Sequence, residues 1–299
     1  MKKLIFKLLL LFLLIVIPLM AIVLIPAPKN NYMQAILDKH QRLMSTESPR
    51  IVLVGGSNFA FGIDSKAIQD ALHIPVVNTG INASIGLGRM LDDITPLLRP
   101  GDILVIAPEY SLFTSEWDGA EGAYGLIFDV HCYPLIVHPL LYGLPSGFFT
   151  YARNKIIALI PHPPNPLRST RDGFNEYGDY IKHLEIENRH IALAQLLGKI
   201  NEKYLSAFFR IADSLAEQGI KVLISYPSYE EVSYKNSEDT IHELDAALRT
   251  KENITVISSP ENYCFPTEYF YDSAYHLNAK GREIRTARLI EDLKRQFGQ

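Results

Sequence analysis

The chain reads as an α/β protein with a central parallel sheet of about five strands, preceded by one N-terminal transmembrane helix. Three observations predict this. Short, apolar, largely β-branched runs recur at Ile51 to Val54, Ile74 to Val77, Asp102 to Ala107, Ile220 to Ser225 and Ile254 to Ser258. Segments of helical periodicity separate them, and strand-helix-strand alternation calls for right-handed crossovers and a parallel sheet. Finally, an uncharged apolar run, Leu8 to Ile25, follows three lysines at the start of the chain.

With 299 residues, 47% of them hydrophobic and 21% charged, the chain can bury a sizeable core and still carry one very apolar segment. A formal charge of -4 leaves no broad basic field, which argues against nucleic acid as a partner. The two cysteines, Cys132 and Cys264, cannot build a disulfide framework. They are either two buried thiols or a single bridge. No cysteine or histidine spacing suits a metal site, and no cofactor motif is present.

Lys2, Lys3 and Lys7 precede the apolar run, which with Leu4 to Phe6 is long enough to span a bilayer. A cleaved signal usually has a shorter core and a small-residue site after it, whereas Ile25 here runs into Pro26-Ala27-Pro28-Lys29. An uncleaved anchor is therefore expected. The lysines place the N-terminus in the cytoplasm and everything after Pro26 outside it. The expected organisation is a cytoplasmic N-terminus and anchor over 1–26, a stalk with a short helix over 27–49, and one α/β domain over 50–299.

Within that domain, Asp64-Ser65 caps a helix running to Leu72, and Gly86 to Leu98 is helical until Pro100-Gly101. From Ser111 to about His190 the alternation is lost to a segment rich in Tyr, Phe, Gly, Pro and His. An insertion 111–190 placed after a strand's carboxyl end would overhang that edge of the sheet. Helices then resume over Ile191 to Gln218, Asp239 to Thr250 and Asn278 to Phe297.

The first strand ends in Gly55-Gly56-Ser57-Asn58. Such a turn is common in α/β folds for geometric reasons alone, but a serine at a strand's carboxyl end also lies where open sheets bind ligands. A nucleophilic serine needs a base to take its proton and donors to hold the oxyanion. Asp272 and His276 stand close together just before the last helix and would bring a carboxylate and an imidazole to the same edge.

This combination resembles the SGNH (GDSL-like) hydrolase superfamily, with Gly55 to Asn58 matching the nucleophile block and Asp272 to Gly281 the acid/base block. The resemblance implies a flavodoxin-like three-layer sandwich, with Ser57 as nucleophile, His276 as general base and Asp272 as the residue orienting it. Gly80 matches the block whose backbone N–H helps bind the oxyanion. Two departures stand out. The family spaces acid and base as Asp-x-x-His, whereas here one residue more separates them. Where its third block carries an oxyanion Asn, this chain has Pro108-Glu109-Tyr110. Losing one such donor costs on the order of a hundredfold in rate unless another replaces it, with Asn58 and Asn82 the candidate replacements. Glu109 is either a polar group at the site mouth or a solvated or salt-bridged loop carboxylate.

The remaining residues carry blander expectations. His131, His138, His162, His183 and His190 read as loop or surface histidines, and Trp117 with the nearby tyrosines as aromatic packing inside the insertion, with stacking on sugar rings the alternative. Together, the resemblance and the anchor imply an externally facing serine esterase or O-acyltransferase of the cell membrane. It is similar to proteins of D-alanyl transfer and alginate O-acetylation. The implied partner is an acylated envelope glycan or another acyl donor. The rival expectation is an inactive envelope protein that binds glycan or an assembly partner at the same edge.

Overall fold

A computed structural model of the protein describes residues 2–131, 145–160, 165, 167–187, 190–196 and 198–298. The apolar run forms α1 (Lys2–Val23), the one helix among the described residues long and apolar enough to cross a membrane. Leu8, Phe12 and Ile15 on it are each more than half exposed, at 57%, 59% and 58%. After a 3-10 turn (Tyr32–Gln34) comes α2 (Ala35–Ser45), whose Ala35, Ile36 and Leu43 are buried. The segment expected as a stalk is therefore docked into the body of the protein over 32–45.

The α/β body then runs β1 (Ile51–Val54), α3 (Ser57–Gly62), α4 (Ser65–Leu72), β2 (Val76–Asn78), α5 (Leu87–Ile94) and β3 (Ile103–Ile106). The insertion contributes α6 (Glu121–Phe128) and α7 (Pro145–Leu159). It is followed by α8 (Glu202–Glu217), β4 (Lys221–Ile224), β5 (Tyr229–Glu230), α9 (Glu231–Lys235) and α10 (Glu238–Arg249). Last come β6 (Thr255–Val256), β7 (Cys264–Phe265) and α11 (Ala279–Phe297).

Five strands pair in parallel in the order β2-β1-β3-β4-β6. Successive side chains on a strand point to opposite faces, so each strand feeds two cores. Val52, Val54, Leu104, Ile106, Val222 and Ile224 meet residues of α2, α5, α8 and α10 on one side. On the other, Ile51, Leu53, Val105 and Leu223 meet Ile68 and Leu72 of α4 and Leu289 and Leu293 of α11. The strand order reverses between β1 and β3, and a crevice opens at the carboxyl ends of strands at such a point.

Three elements differ from the sequence reading. Glu202–Glu217 replaces the long helix expected from Ile191, because Gly198 takes φ +92° and Asn201 caps a fresh start. Before it the chain is extended, with the Ala194 and Leu196 amides donating to Ser233 and Ser237 hydroxyls at 3.0 and 3.1 Å. Pro96 converts the end of α5 into a 3-10 turn. The β5–β7 pair, two residues each, forms a separate parallel ladder too short to show any periodicity.

At the amino edge of the sheet Arg50 and Asp102 form a fully buried ion pair at 3.0 Å. Arg50 also donates to the carbonyls of Thr46 at 2.8 Å and Leu97 at 2.8 Å, and to that of Leu43, so it fastens the end of α2 to β1 and β3. Arg50→Met leaves the Asp102 charge buried without its cation. It is expected to lower unfolding free energy by about 3 kcal/mol or more, measured by denaturant titration.

Candidate active site

Ser57 is the first residue of α3, half-buried, directly after the Gly55-Gly56 turn that ends β1. A Cβ on Gly56 would lie 2.5 Å from both carboxylate oxygens of Glu109 and 2.6 Å from the Ala83 amide nitrogen. Only glycine fits there. The crowding also shows what surrounds the serine: a carboxylate brought in after β3 and a backbone amide brought in after β2. The Ser57 hydroxyl makes no hydrogen bond among the described residues.

Asp272 and His276 come together despite the extra residue between them. Tyr271 donates to the His276 carbonyl at 2.8 Å and Asn278 to that of Tyr269 at 2.9 Å, closing 271–276 into a hairpin-like loop. The Ser273 hydroxyl accepts the His276 amide at 3.2 Å inside it. This turn absorbs the added residue, and Asp272 Oδ1 accepts from His276 Nδ1 at 2.7 Å. Because the ionised carboxylate only accepts, Nδ1 carries the proton and Nε2 is left with the lone pair.

The imidazole stacks on Phe61, with ring centroids 4.2 Å apart and planes 10° from parallel. Phe61 lies four residues after Ser57, on the same face of α3 one turn along. The His276 ring is thereby held against α3, the helix whose first residue is the serine. Phe61 was a missed participant, although its spacing from Ser57 was readable in the sequence.

The residues expected to bind an oxyanion are arranged otherwise. Glu109 is buried, and its carboxylate accepts the Gly56 amide at 2.9 Å and the Asn58 amide at 3.0 Å, on either side of Ser57. The Asn58 side chain points into the core, donating to the Ala107 carbonyl at 2.9 Å and accepting from Arg285 at 2.7 Å. Gly80 donates its amide to Asn78 Oδ1 at 2.9 Å, and Asn82 Oδ1 caps the next turn by accepting from the Ser84 amide at 2.9 Å. By contrast, the amides of Ser57 and Ala83 make no hydrogen bond among the described residues. Ala83 carries no side-chain signal, so nothing in the sequence singled it out.

The insertion gathers at this same edge where it is described. Tyr180 donates its amide to the Ala60 carbonyl at 2.7 Å and packs its ring on Phe61 at 4.6 Å. Asp179, fully buried, accepts from Ser65 and from Asn78 Nδ2 at 2.8 Å. Tyr32, from the turn before α2, donates to the Ile81 carbonyl at 2.7 Å and joins the Phe174 and Tyr180 rings. His183 is not a surface histidine. It is buried against Phe61, Tyr180 and Tyr271, because the aromatic residues that make the insertion look like loop are its packing partners.

Of the other histidines, His131 and His190 are exposed, while His138 and His162 lie outside the described residues. Trp117 packs on Phe113 and Tyr204. Cys264 is a free thiol pushed up to about 11 chiefly by burial, and Cys132 lies outside the described residues. Among the described residues no group of His, Cys, Asp and Glu side chains could hold a metal ion.

His183 bonds the Leu277 carbonyl through Nε2 at 2.9 Å, so that nitrogen carries its proton and Nδ1 is bare. Burial, the largest influence, lowers its pKa to about 4. The unfolded chain therefore takes up a proton near pH 6.5 that the folded chain refuses until about pH 4. Stability from this group is complete above pH 6.5 and declines as pH falls through that window, by up to about 3 kcal/mol. In His183→Gln, where an amide N–H replaces the imidazole donor, the acid-unfolding midpoint should move to lower pH. Compared with known proteins, the chain matches no family model and no curated protein, so the residues and their geometry carry the functional reading.

Proposed function

We propose that the protein is a membrane-anchored, externally facing serine esterase or O-acyltransferase of the SGNH type. In this reading it works on a flavodoxin-like sheet and takes acyl esters, with cell-envelope polysaccharide as the substrate class. One observation carries the proposal: the Asp272–His276 hydrogen bond of 2.7 Å, in a ring stacked on the α3 residue one turn beyond Ser57. The strand order supports the fold reading, and the exposed apolar flanks of α1 support the anchor.

His276 Nε2 takes the Ser57 proton as Oγ attacks the ester carbonyl, and Asp272 stabilises the imidazolium. The tetrahedral oxyanion is held by the Ser57 and Ala83 amides. Collapse breaks the ester C–O bond, and the imidazolium gives its proton to the leaving alcohol. Water or a sugar hydroxyl, deprotonated by the same imidazole, then attacks the acyl-serine and releases Ser57.

A second reading, an inactive protein binding glycan or an assembly partner, is favoured by Glu109. Its carboxylate takes two of the amides at the serine turn and puts a negative charge where an oxyanion would approach. A fluorophosphonate probe separates the two readings, since only an activated serine is labelled.

Labelling is expected in the parent and lost in Ser57→Ala, with thermal stability nearly unchanged. His276→Ala should lose comparably, because nucleophile and base act as one unit. Asp272→Asn should slow labelling by about 10³ to 10⁴, through the wrong imidazole tautomer. An unlabelled parent overturns the enzymatic reading. Orientation is tested separately: a reporter active only in the cytoplasm, fused after Gln299, should be silent, and strong activity would reverse the topology.

A further inference from the structure

The insertion helix α7 carries exposed apolar side chains that packing among the described residues does not explain. Phe149, Ile156, Ile157, Leu159 and the following Ile160 are 41% to 60% exposed. Phe149, Ile156 and Ile160 fall on one stripe of a 3.6-residue helix. Outside α1 and its continuation Leu24 and Ile25, the other large exposed apolar side chains among the described residues are Leu37 and Met44 on α2 and Leu167, Ile181, Leu193 and Val232, fewer on any one element than on α7.

The opposite face of α7 is fixed to the body. Tyr151 and Ala152 are buried against Val23, with Leu19, Tyr124, Phe128 and Phe148 packed around them. Tyr151 donates to Asp129 Oδ1 at 2.9 Å, and Lys155 pairs with the same carboxylate. The helix cannot roll its apolar stripe inward without breaking this buried cluster. Arg153, the charged residue beside the stripe, is exposed with a long apolar stem, the kind of side chain that snorkels at a membrane surface.

The height of the contact identifies what covers the stripe. α7 meets α1 at Leu19 and Val23, inside the apolar run that ends at Ile25. Six residues of helix rise about 9 Å, so the contact lies within about 9 Å of the outer end of that run. We propose that α7 is a second membrane contact, seated in the outer interface of the bilayer beside α1 with Phe149, Ile156 and Ile160 turned to lipid. The proposal rests on α1 spanning the membrane.

A helix so placed matches the interfacial class, with one apolar face at the boundary between headgroups and acyl chains. It also bears on the candidate site, since α6 packs between α7 and the Ala83–Ile85 turn. The candidate oxyanion amide is then connected to the membrane surface through one helix.

The test uses the full chain in phosphatidylcholine vesicles containing brominated acyl chains, which quench tryptophan at close range. The parent, with Trp117 as its one tryptophan, sets the background. Phe149→Trp and Ile160→Trp should lose most of their added emission, as should Phe12→Trp in α1, while Val232→Trp on α9 should keep its own. If Phe12→Trp is quenched and the α7 variants behave like Val232→Trp, the α7 proposal is overturned and the anchor stands. Blue-shifted α7 emission without quenching means a second protein copy covers the stripe, and also overturns it. An unquenched Phe12→Trp overturns the anchor, and the α7 proposal with it.

Discussion

The arrangement at the candidate site depends on one buried cation, Arg285 of α11. Its guanidinium donates to the Asn58 carbonyl at 2.6 Å, to Asn58 Oδ1 at 2.7 Å and to the Tyr226 carbonyl at 3.3 Å, and lies over the Phe59 and Tyr263 rings. No carboxylate reaches it at ion-pair distance among the described residues. Burial lowers its pKa to about 10, so it stays charged at neutral pH. Gly62 makes room for it, since a Cβ there would fall 2.5 Å from Nη1. The bonds join the first turn of α3 to the last helix, and the His276 loop leads directly into that helix. Residues more than two hundred positions apart are thus held in one frame.

Glu109 supplies the complementary negative charge, acting through space on Arg285 and bonding to the backbone on both sides of Ser57. Two charge-assisted hydrogen bonds make it a strong fastener of the serine turn. The same carboxylate has a chemical cost, because an oxyanion forming nearby would meet a like charge at low effective dielectric. The remaining amides, at Ser57 and Ala83, set the ceiling on stabilisation. One missing donor of this kind is worth about 10² to 10³ in rate, so the enzymatic reading proposed above would be that of a slow catalyst.

Much of this was legible in sequence because it is local. Apolar runs ending in Gly or Pro marked the strands of the sheet, and a strand-end serine with an Asp/His pair before the last helix marked the site. What escaped depended on tertiary contacts. Gly80 looked like the oxyanion donor because glycine is visible, yet its amide serves Asn78 while the inconspicuous Ala83 faces the serine turn. The helical pattern after Ile191 lost to Ser233 and Ser237, which satisfy that backbone in extended form. His183 looked exposed because the sequence around it is polar and aromatic, and aromatic residues pack from distant positions as readily as from adjacent ones.

The docking of residues 32–45 changes the relation between the site and the anchor. A flexible stalk would let the domain sample many heights above a bilayer. Instead Tyr32 bonds the loop after β2, Arg171 of the insertion pairs with Asp38 at 2.6 Å, and Lys39 donates to the Asn78 carbonyl at 3.0 Å. Only the short stretch from Leu24 to Asn31, with Pro26 and Pro28 in it, is left between α1 and the packed body. Proline restricts such a connector further. With α1 in a bilayer the candidate site is therefore held at a set distance from the membrane surface, so under the proposed esterase reading a substrate would have to be presented at that height, either carried on the membrane or reaching down to it.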